Sequence, residues 1–283
     1  MQPFLHRWVT ASASAGQNDP LGSGAMTDLP IFLINLDGSD ARLDAATEAM
    51  RSEGVAFVRH SAFDGRYKDL REVPEYSAEA ARALMGRDLT GGEVGCYISH
   101  VEVAKRFLAS TARFALVLED DMKPLPGAFA ISRALLADAQ DDRTAWDVAH
   151  LAAGKLKIAT PLYEIYAGSQ MTMLHRAHYF PMRTTALLWS RGGAERFVRS
   201  AYPITCPVDI HLRRLMQQND GGVALYPPCF STTDAESEIV SGIGNKRGGD
   251  SRSPSYPLKR AARVIAENRR ANTLKRRAKR ALT

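Results

Sequence analysis

The chain has 283 residues, of which 45% are hydrophobic and 24% charged, and its formal net charge is +6. This length suits one large α/β domain with a substantial core, and no stretch approaches the roughly 20 apolar residues of a membrane span. Three widely separated cysteines, Cys96, Cys206 and Cys229, argue against a disulfide framework and a zinc site, so we expect reduced thiols.

The chain is predicted to begin with a disordered extension over residues 1–28, which is rich in Ala, Ser and Gly. A β-α-β unit then opens the domain that we assign to residues 29–245. Its first strand covers Pro30–Leu36, a helix follows from Asp40 to Glu53, and Val55–Val58 is the second strand.

A long helix is predicted to start after Thr90, because Glu93 stands three residues later and completes a capping box. This helix runs to about Ala109 and is preceded by a short helix from Ser77 to Met85. The next strand, Phe114–Leu118, leads directly into three acids.

Helices and strands alternate through the remainder of the domain. We predict helices over 127–138, 191–200 and 208–218, and β segments over 146–151, 155–158, 162–166, 184–189 and 223–226. This order indicates an α/β fold of one domain with a mixed, mainly parallel central sheet flanked by helices.

The acids Glu119, Asp120 and Asp121 follow a buried strand, and ligands of open α/β sheets bind beyond the carboxyl ends of strands. Carboxylates at that edge can hold a divalent cation and with it a phosphorylated substrate. Alternation along the strand predicts that Glu119 and Asp121 share one side while Asp120 points away. The alternative is a solvated turn or the cap of the next helix.

Two other groups of polar residues could contribute to such a site. On the helix after Thr90, Glu93, Cys96 and His100 share a face; they either face a cleft or include one buried, hydrogen-bonded histidine. Near the first strand, Asn35, Asp37 and Arg42 form either part of a nucleotide-binding site or a capped turn with a surface ion pair.

Asp209 and His211 lie at the start of a predicted helix, behind two prolines. A carboxylate fixed there could act as general base, although an acid at this position also simply suits the helix dipole. The glycines Gly91, Gly92 and Gly95 match neither a P-loop nor a dinucleotide-binding fingerprint, which disfavours ATP hydrolysis and NAD chemistry.

Taken in order along the chain, several short motifs resemble glycosyltransferase family 25. They are Ile34-Asn-Leu-Asp37 with Arg42, Ala62-Phe-Asp-Gly65, Leu89-Thr90 with Gly92-Glu-Val-Gly-Cys96, Ser99-His100, and Leu118-Glu-Asp-Asp121. The resemblance is strong over residues 30–125 and continues more weakly to about residue 240. It implies a GT-A-like fold and inverting hexose transfer, with galactose or glucose moved from a UDP-sugar donor to a glycan acceptor of lipopolysaccharide or another surface polysaccharide.

The same resemblance implies roles for individual residues and a bound Mn²⁺ or Mg²⁺. Asp121 would coordinate the ion, Glu119 would contact the ribose or a metal-bound water, and His211 would be a further metal or phosphate ligand. Asp209 would be the catalytic base. Asn35, Asp37 and Arg42 would bind the nucleotide, and Glu93, Ser99 and His100 would line the cleft. Gly38-Ser39 departs from the family pattern, which often carries basic residues there.

Residues 246–283 carry thirteen Lys and Arg against two acids, while residues 1–245 have a net charge of −5. This basic tail has helix-forming composition and suits an anionic membrane surface, where lipid-linked glycan acceptors reside. Binding of nucleic acid or a disordered tail are the alternatives; nucleic acid is disfavoured because no interleaved basic and aromatic residues occur in the domain.

Without a signal-peptide pattern near the N-terminus, the expected location is the cytoplasm, with peripheral attachment to the inner face of the membrane. Two other functions use the same acids. A metal-dependent hydrolase would normally need clustered histidines, whereas a non-catalytic carbohydrate-binding protein would not need Asp121.

Overall fold

An eight-stranded sheet with helices on both faces forms the centre of the protein, seen in a computed structural model that describes residues 29–139, 145–233 and 253–281. The ten strands are β1 Ile31–Asn35, β2 Val58–Ser61, β3 Phe114–Glu119, β4 Met122–Pro124, β5 Val148–His150, β6 Thr160–Ala167, β7 Gln170–Arg176, β8 Ala186–Ser190, β9 Gly222–Tyr226 and β10 Phe230–Thr232. The helices are α1 Asp40–Ser52, α2 Ala78–Met85, α3 Gly91–Leu108, α4 Ala128–Ala139, α5 Arg191–Ser200, α6 Val208–Asn219 and α7 Tyr256–Ala281.

The strand order of the large sheet is β2-β1-β3-β8-β5-β9-β7-β6. Strand pairing shows that β7 and β8 run against the other six strands. This confirms the predicted α/β fold with a mixed, mainly parallel sheet. The carboxyl ends of β1, β2, β3 and β5 therefore lie at the same edge as the N-terminal end of β8.

Alternating side chains build a hydrophobic core on each face of the sheet. Phe32 and Ile34 of β1 pack with α3, α5 and α6, whereas Leu33 between them packs with α1 and α4. Strand β3 alternates in the same way, with Val117 on the first face and Leu118 on the second. Burial on both faces explains why these strands read as continuous apolar runs.

Hydroxyl side chains cap the first turns of several helices, and the cap at Thr90 was predicted from the sequence. The capping box of α3 is present: the Thr90 hydroxyl accepts from the Glu93 amide, and the Glu93 carboxylate accepts from the Thr90 amide. Ser77 caps α2 in the predicted place, and Ser190 caps α5. Each such cap satisfies an amide that the first helical turn leaves free.

Five β segments differ from prediction. Strand β2 begins at Val58 rather than Val55, because the Val55 amide still donates to Met50 at the end of α1. No strand forms over 155–158. Strand β7 was not predicted, since its polar residues obscure the alternation. The small sheet of β4 and β10 was also missed, because each strand has only three residues.

Helix α7 lies within the basic segment and packs against α2 and α6. Residues 1–28, for which we predicted disorder, and residues 246–252 of the tail lie outside the described part of the chain. Among the described residues, no helix is both long and apolar enough to cross a membrane.

Candidate functional site

A cleft opens at the carboxyl edge of the sheet, where β1 and β3 end side by side. Backbone pairing of Ile34 with Glu119 places the end of β1 beside the acids. The loop after β2 and the first turns of α3 form the opposite wall. The lining comprises Ile34, Asn35, Leu36, Arg42, Ala62, Phe63, Asp64, Gly65, Arg66, Gly92, Cys96, Ser99, Glu119, Asp120 and Asp121.

Asp120 is bound from the β1 side of the cleft. The Arg42 guanidinium pairs with its Oδ1, and the Asn35 amide donates to its Oδ2 at 2.8 Å. Arg59 in turn donates to the Asn35 oxygen at 2.9 Å. This network fixes Asp120 toward α1, in agreement with its predicted separation from the other two acids.

Glu119 is bound from the opposite side. The Thr184 hydroxyl donates to its Oε1 at 2.7 Å, His100 Nε2 lies 3.0 Å away, and the Cys96 thiol lies at 3.6 Å. Burial alone would raise the pKa of Glu119, but the hydrogen bond and charge of His100 outweigh burial and lower it. All three contacts converge on Oε1, so Oε2 receives no hydrogen bond from the described residues.

Asp121 has the least satisfied carboxyl group of the three acids. Its Oδ1 is buried and has no hydrogen-bond partner among the described residues. Burial, followed by the nearby charge of Glu119, raises the pKa of Asp121 to about 7. A half-buried carboxylate with one buried, unpartnered oxygen beside a second carboxylate fits a hard divalent cation, which prefers oxygen ligands.

One compact group of three metal-type ligands occurs in the described residues, and it is not the set that the sequence predicted. Ligand atoms of Cys96, His100 and Glu119 lie within 4.8 Å of one another. Burial raises the pKa of the Cys96 thiol well above its usual value, so the neutral thiol donates to Glu119. We interpret Cys96 and His100 as residues that orient Glu119, and the oxygens of Glu119 and Asp121 as the cation ligands.

Asp209 lies at the start of α6, close to the same group. Its carboxylate accepts from the Arg183 amide at 3.4 Å and from the Ile210 amide at 2.7 Å. Burial raises the pKa of Asp209, and its charge is near enough to raise the pKa of Cys96. A half-buried carboxylate of raised pKa is suited to accept a proton.

Three other predicted residues make structural contacts around the cleft. Glu93 forms a bidentate ion pair with Arg87, at 2.6 and 2.7 Å, and caps α3, so it does not line the cleft. The Ser99 hydroxyl lines the cleft and accepts from the Phe63 amide at 2.9 Å. Exposed Asp37 accepts from Arg59 and Ser61, each at 2.6 Å, and lies outside the lining.

The structure does not bring His211 to the acids. Its Nε2 lies 3.1 Å from the Ser200 hydroxyl, and its ring packs between Tyr97 and Phe197. Burial lowers the pKa of His211 to about 4. Because residues two apart on a helix point in opposite directions, His211 faces the core while Asp209 faces the cleft. This correction removes His211 from the candidate metal ligands.

Sequence reasoning missed the segment before β8. Arg183 has a φ of 72°, an uncommon conformation for a residue other than glycine, and joins Asp209 to the Glu119 partner Thr184. His150 at the end of β5 holds this segment: its Nε2 lies 3.1 Å from the carbonyl oxygens of Met182 and Arg183. No local motif marks these residues, because their roles depend on β8 running antiparallel to β3.

Glycines allow the loop after β2 to lie directly on α3. A Cβ at Gly95 would be 2.4 Å from the Phe63 carbonyl oxygen, and one at Gly91 would be 1.9 Å from that of Gly65. These distances are shorter than the contacts that Cβ atoms make in proteins, so a side chain at either position would force the backbone apart. The glycines therefore serve close packing of one cleft wall rather than phosphate binding in a P-loop.

Comparison with known proteins is consistent with this architecture. The family model described as "Glycosyltransferase family 25 (LPS biosynthesis protein)" matches residues 28–212. Procollagen galactosyltransferase 1-B of Xenopus laevis is 25% identical over 210 residues, 72% of this chain and 33% of that protein. A glycosyltransferase 25 family member of Anopheles gambiae is 27% identical over 135 residues, 45% of this chain and 22% of that protein.

A human relative, named inactive glycosyltransferase 25 family member 3, is 33% identical over 66 residues, 23% of this chain and 11% of that protein. The chain thus spans a third or less of the length of these curated relatives. Their names include a galactosyltransferase and an inactive family member, so the residues of the cleft must decide whether this chain is catalytic.

Proposed function

Since the chain belongs to glycosyltransferase family 25, we propose that it is a metal-dependent, inverting hexosyltransferase. In this proposal galactose or glucose moves from a UDP-sugar to a glycan acceptor. The names of the galactosyltransferase relatives favour a hexose, and the family description favours lipopolysaccharide or another surface polysaccharide as the acceptor. A lipid-linked glycan would be one such acceptor.

Asp121 is the observation that supports the proposal most strongly. A half-buried carboxylate whose buried oxygen has no partner is costly unless a ligand compensates it. Asp121 and Glu119 would hold Mn²⁺ or Mg²⁺ through oxygen atoms. When bound, such an ion neutralises charge on the diphosphate leaving group, which is the difficult part of the transfer.

The β1 side of the cleft is suited to the nucleotide. Asn35 and Arg42 hold Asp120 there, so a donor meets a wall with fixed hydrogen-bonding groups and one guanidinium paired with a carboxylate. Arg66 on the opposite wall, paired with Asp64 at 2.8 Å, adds a second guanidinium to the lining. The two guanidinium groups, one from each wall, can contact the phosphates of a nucleotide sugar.

Asp209 is the proposed base on the acceptor side. Inversion requires a group that removes the proton of the attacking hydroxyl on the face opposite the leaving group. The raised pKa of Asp209 strengthens its affinity for that proton. The Arg183 amide holds the carboxylate in place, and no cationic side chain of the described residues forms an ion pair with it.

The test is turnover of UDP-galactose and UDP-glucose by the purified protein, with and without Mn²⁺, measured as UDP release. We expect slow hydrolysis without acceptor, dependent on the ion, and loss of at least 100-fold in Asp121→Asn, as removal of a metal ligand predicts. Exposed Glu79→Gln on α2 is the matched control, because it removes the same charge away from the cleft.

Three results would contradict the proposal. Unchanged turnover in Asp121→Asn would reject the metal role of this residue. Donor binding by calorimetry without any turnover would instead support a non-catalytic carbohydrate-binding protein. Ion-dependent cleavage of phosphoesters that lack a sugar would support a hydrolase.

A further inference from the structure

We infer that the outer face of α7 is a docking surface for an anionic lipid membrane. Helix α7 contains ten Lys and Arg residues and a single acid, Glu267. The inference goes beyond the proposed transfer reaction, because it concerns a different surface and a different partner.

The inner face of α7 is fixed to the domain, so its outer face has a defined direction. Glu267 is buried, accepts from the Tyr179 hydroxyl at 3.3 Å and lies 3.6 Å from Arg213. The side chain of Gln217 on α6 donates to the Glu267 carbonyl at 3.0 Å. Ala271, one turn further, is fully buried.

The start of α7 is anchored independently on α2. The Lys259 ammonium donates to the Arg82 carbonyl at 3.1 Å, and Gly86 leaves room for Tyr256 to pack against it. Two contact regions about two turns apart hold the N-terminal part of the helix, from Tyr256 to Ala271. The single acidic residue of α7, Glu267, therefore lies on the inner face and binds the domain. The opposite face carries only basic, apolar and neutral polar side chains.

Exposed apolar residues stand on that opposite face among the cations. Leu258 is 75% exposed and Ile265 is 50% exposed. Arg269 and Arg276 are also exposed, and spacings of 7, 11 and 18 residues from Leu258 place all four residues on one stripe of the helix. The surface thus combines two aliphatic side chains with neighbouring arginines. If the aliphatic side chains insert into a bilayer, the arginines would lie at the level of the lipid headgroups.

This combination favours a membrane over nucleic acid. Phosphate backbones would be contacted by the arginines alone, and binding to bases would call for aromatic side chains, which the stripe does not contain. Aliphatic side chains gain by insertion between lipids, while basic residues gain from the negative surface of anionic leaflets. An acidic remainder of the chain, with net charge −5 over residues 1–245, would be repelled and would orient α7 toward the lipid.

The experiment measures binding of the full chain to vesicles of phosphatidylcholine with 30% phosphatidylglycerol, by sedimentation at physiological salt. We expect the double variant Arg269→Glu/Arg276→Glu to bind at least roughly tenfold more weakly, and Leu258→Ser/Ile265→Ser to bind several-fold more weakly. The matched control is Arg133→Glu/Lys155→Glu, an equal charge change on exposed residues of other elements, which should leave binding within about twofold.

UDP release without acceptor, measured on the same variants, separates this proposal from the proposed function. Unchanged turnover with weakened vesicle binding supports the docking surface; the vesicle result stands even if the protein has no transferase activity. Vesicle binding that is equal in all variants would overturn it. So would tighter binding to a duplex oligonucleotide that depends on the arginines and not on Leu258 and Ile265.

Discussion

Asp121 makes the stability of the protein depend on pH. Its pKa of about 7 in the folded protein lies above the ordinary 3.8, so the folded state binds a proton that the unfolded chain has lost between these values. Stability from this residue is therefore present at low pH and is lost as pH rises toward 7. Above that pH the half-buried carboxylate is ionised in the folded protein, at a cost in desolvation and in repulsion from Glu119.

Asp121→Asn should therefore stabilise the protein in the absence of divalent ions, by on the order of 2–4 kcal/mol at pH 8 and by less at pH 5. Urea unfolding at both pH values measures this difference. Asp44→Asn, an exposed change on α1, is the control and should show no such gain. A gain of equal size at both pH values would mean that burial of charge is not the cause.

Asp209→Asn should affect the chemical step and not donor binding. Loss of a general base typically slows turnover by 10²–10⁴-fold. We expect a fall of about this size in kcat for transfer to an acceptor, with the calorimetric Kd for UDP-sugar and Mn²⁺ unchanged. The amide of asparagine keeps the shape of the aspartate side chain, so the variant protein should keep its fold. Unaltered kcat would remove Asp209 from the reaction.

Single residues of the site could be predicted from sequence only where the signal was local. The acids at the end of β3 were found because an apolar run ends in them. The partner of Asp120 could not be assigned in this way, since Arg42 lies 78 residues away and the pairing depends on β1 and β3 being neighbours. The error at His211 was avoidable, because helical geometry already separates it from Asp209.

At the scale of elements, α3 owes its position to two glycines. Gly95→Ala should destabilise the protein by roughly 1–3 kcal/mol and displace the loop that contains Phe63, because overpacking forces the backbone apart. Gly192→Ala is the matched control: its new methyl group meets only the end of Arg196 at 3.8 Å, and helix propensity predicts a gain of up to about 1 kcal/mol. Thermal unfolding of both variants tests the contrast.

A Gly95→Ala protein as stable as the wild type would show that the loop can yield without cost. In that event the loop and α3 are packed less rigidly than their interatomic distances indicate. The affinity for the donor should then also be unchanged by the substitution.

Elements with strong end signals were predicted best. The capping box defined the start of α3, and the helix after Ser190 was placed correctly as well. Strand β7 failed because its residues alternate without clear hydrophobic contrast, and its place between β6 and β9 is decided by long-range pairing. The start of β2 failed for a similar reason, since only pairing with β1 fixes where extended chain becomes strand.

At the scale of the whole molecule, α7 is part of the folded domain and not an independent appendage. Deletion of residues 253–283 would leave Arg213 and Gln217 without Glu267 and expose the surface beneath Ala271. We expect a loss of several kcal/mol of stability, because buried polar groups would lose their partners. Urea denaturation should show a lower midpoint; an unchanged midpoint would mean that the helix contributes nothing to the domain. Point variants on the outer face are thus better probes of membrane binding than truncation.

Arg183 and Thr184 are adjacent in the chain, yet one reaches the proposed base and the other reaches the acid pair. His150 clamps the peptide groups beside them. Any shift of this short segment would therefore move Asp209 and Glu119 together. If the proposed transfer is correct, binding of the donor beside Glu119 and of the acceptor beside Asp209 should be energetically linked.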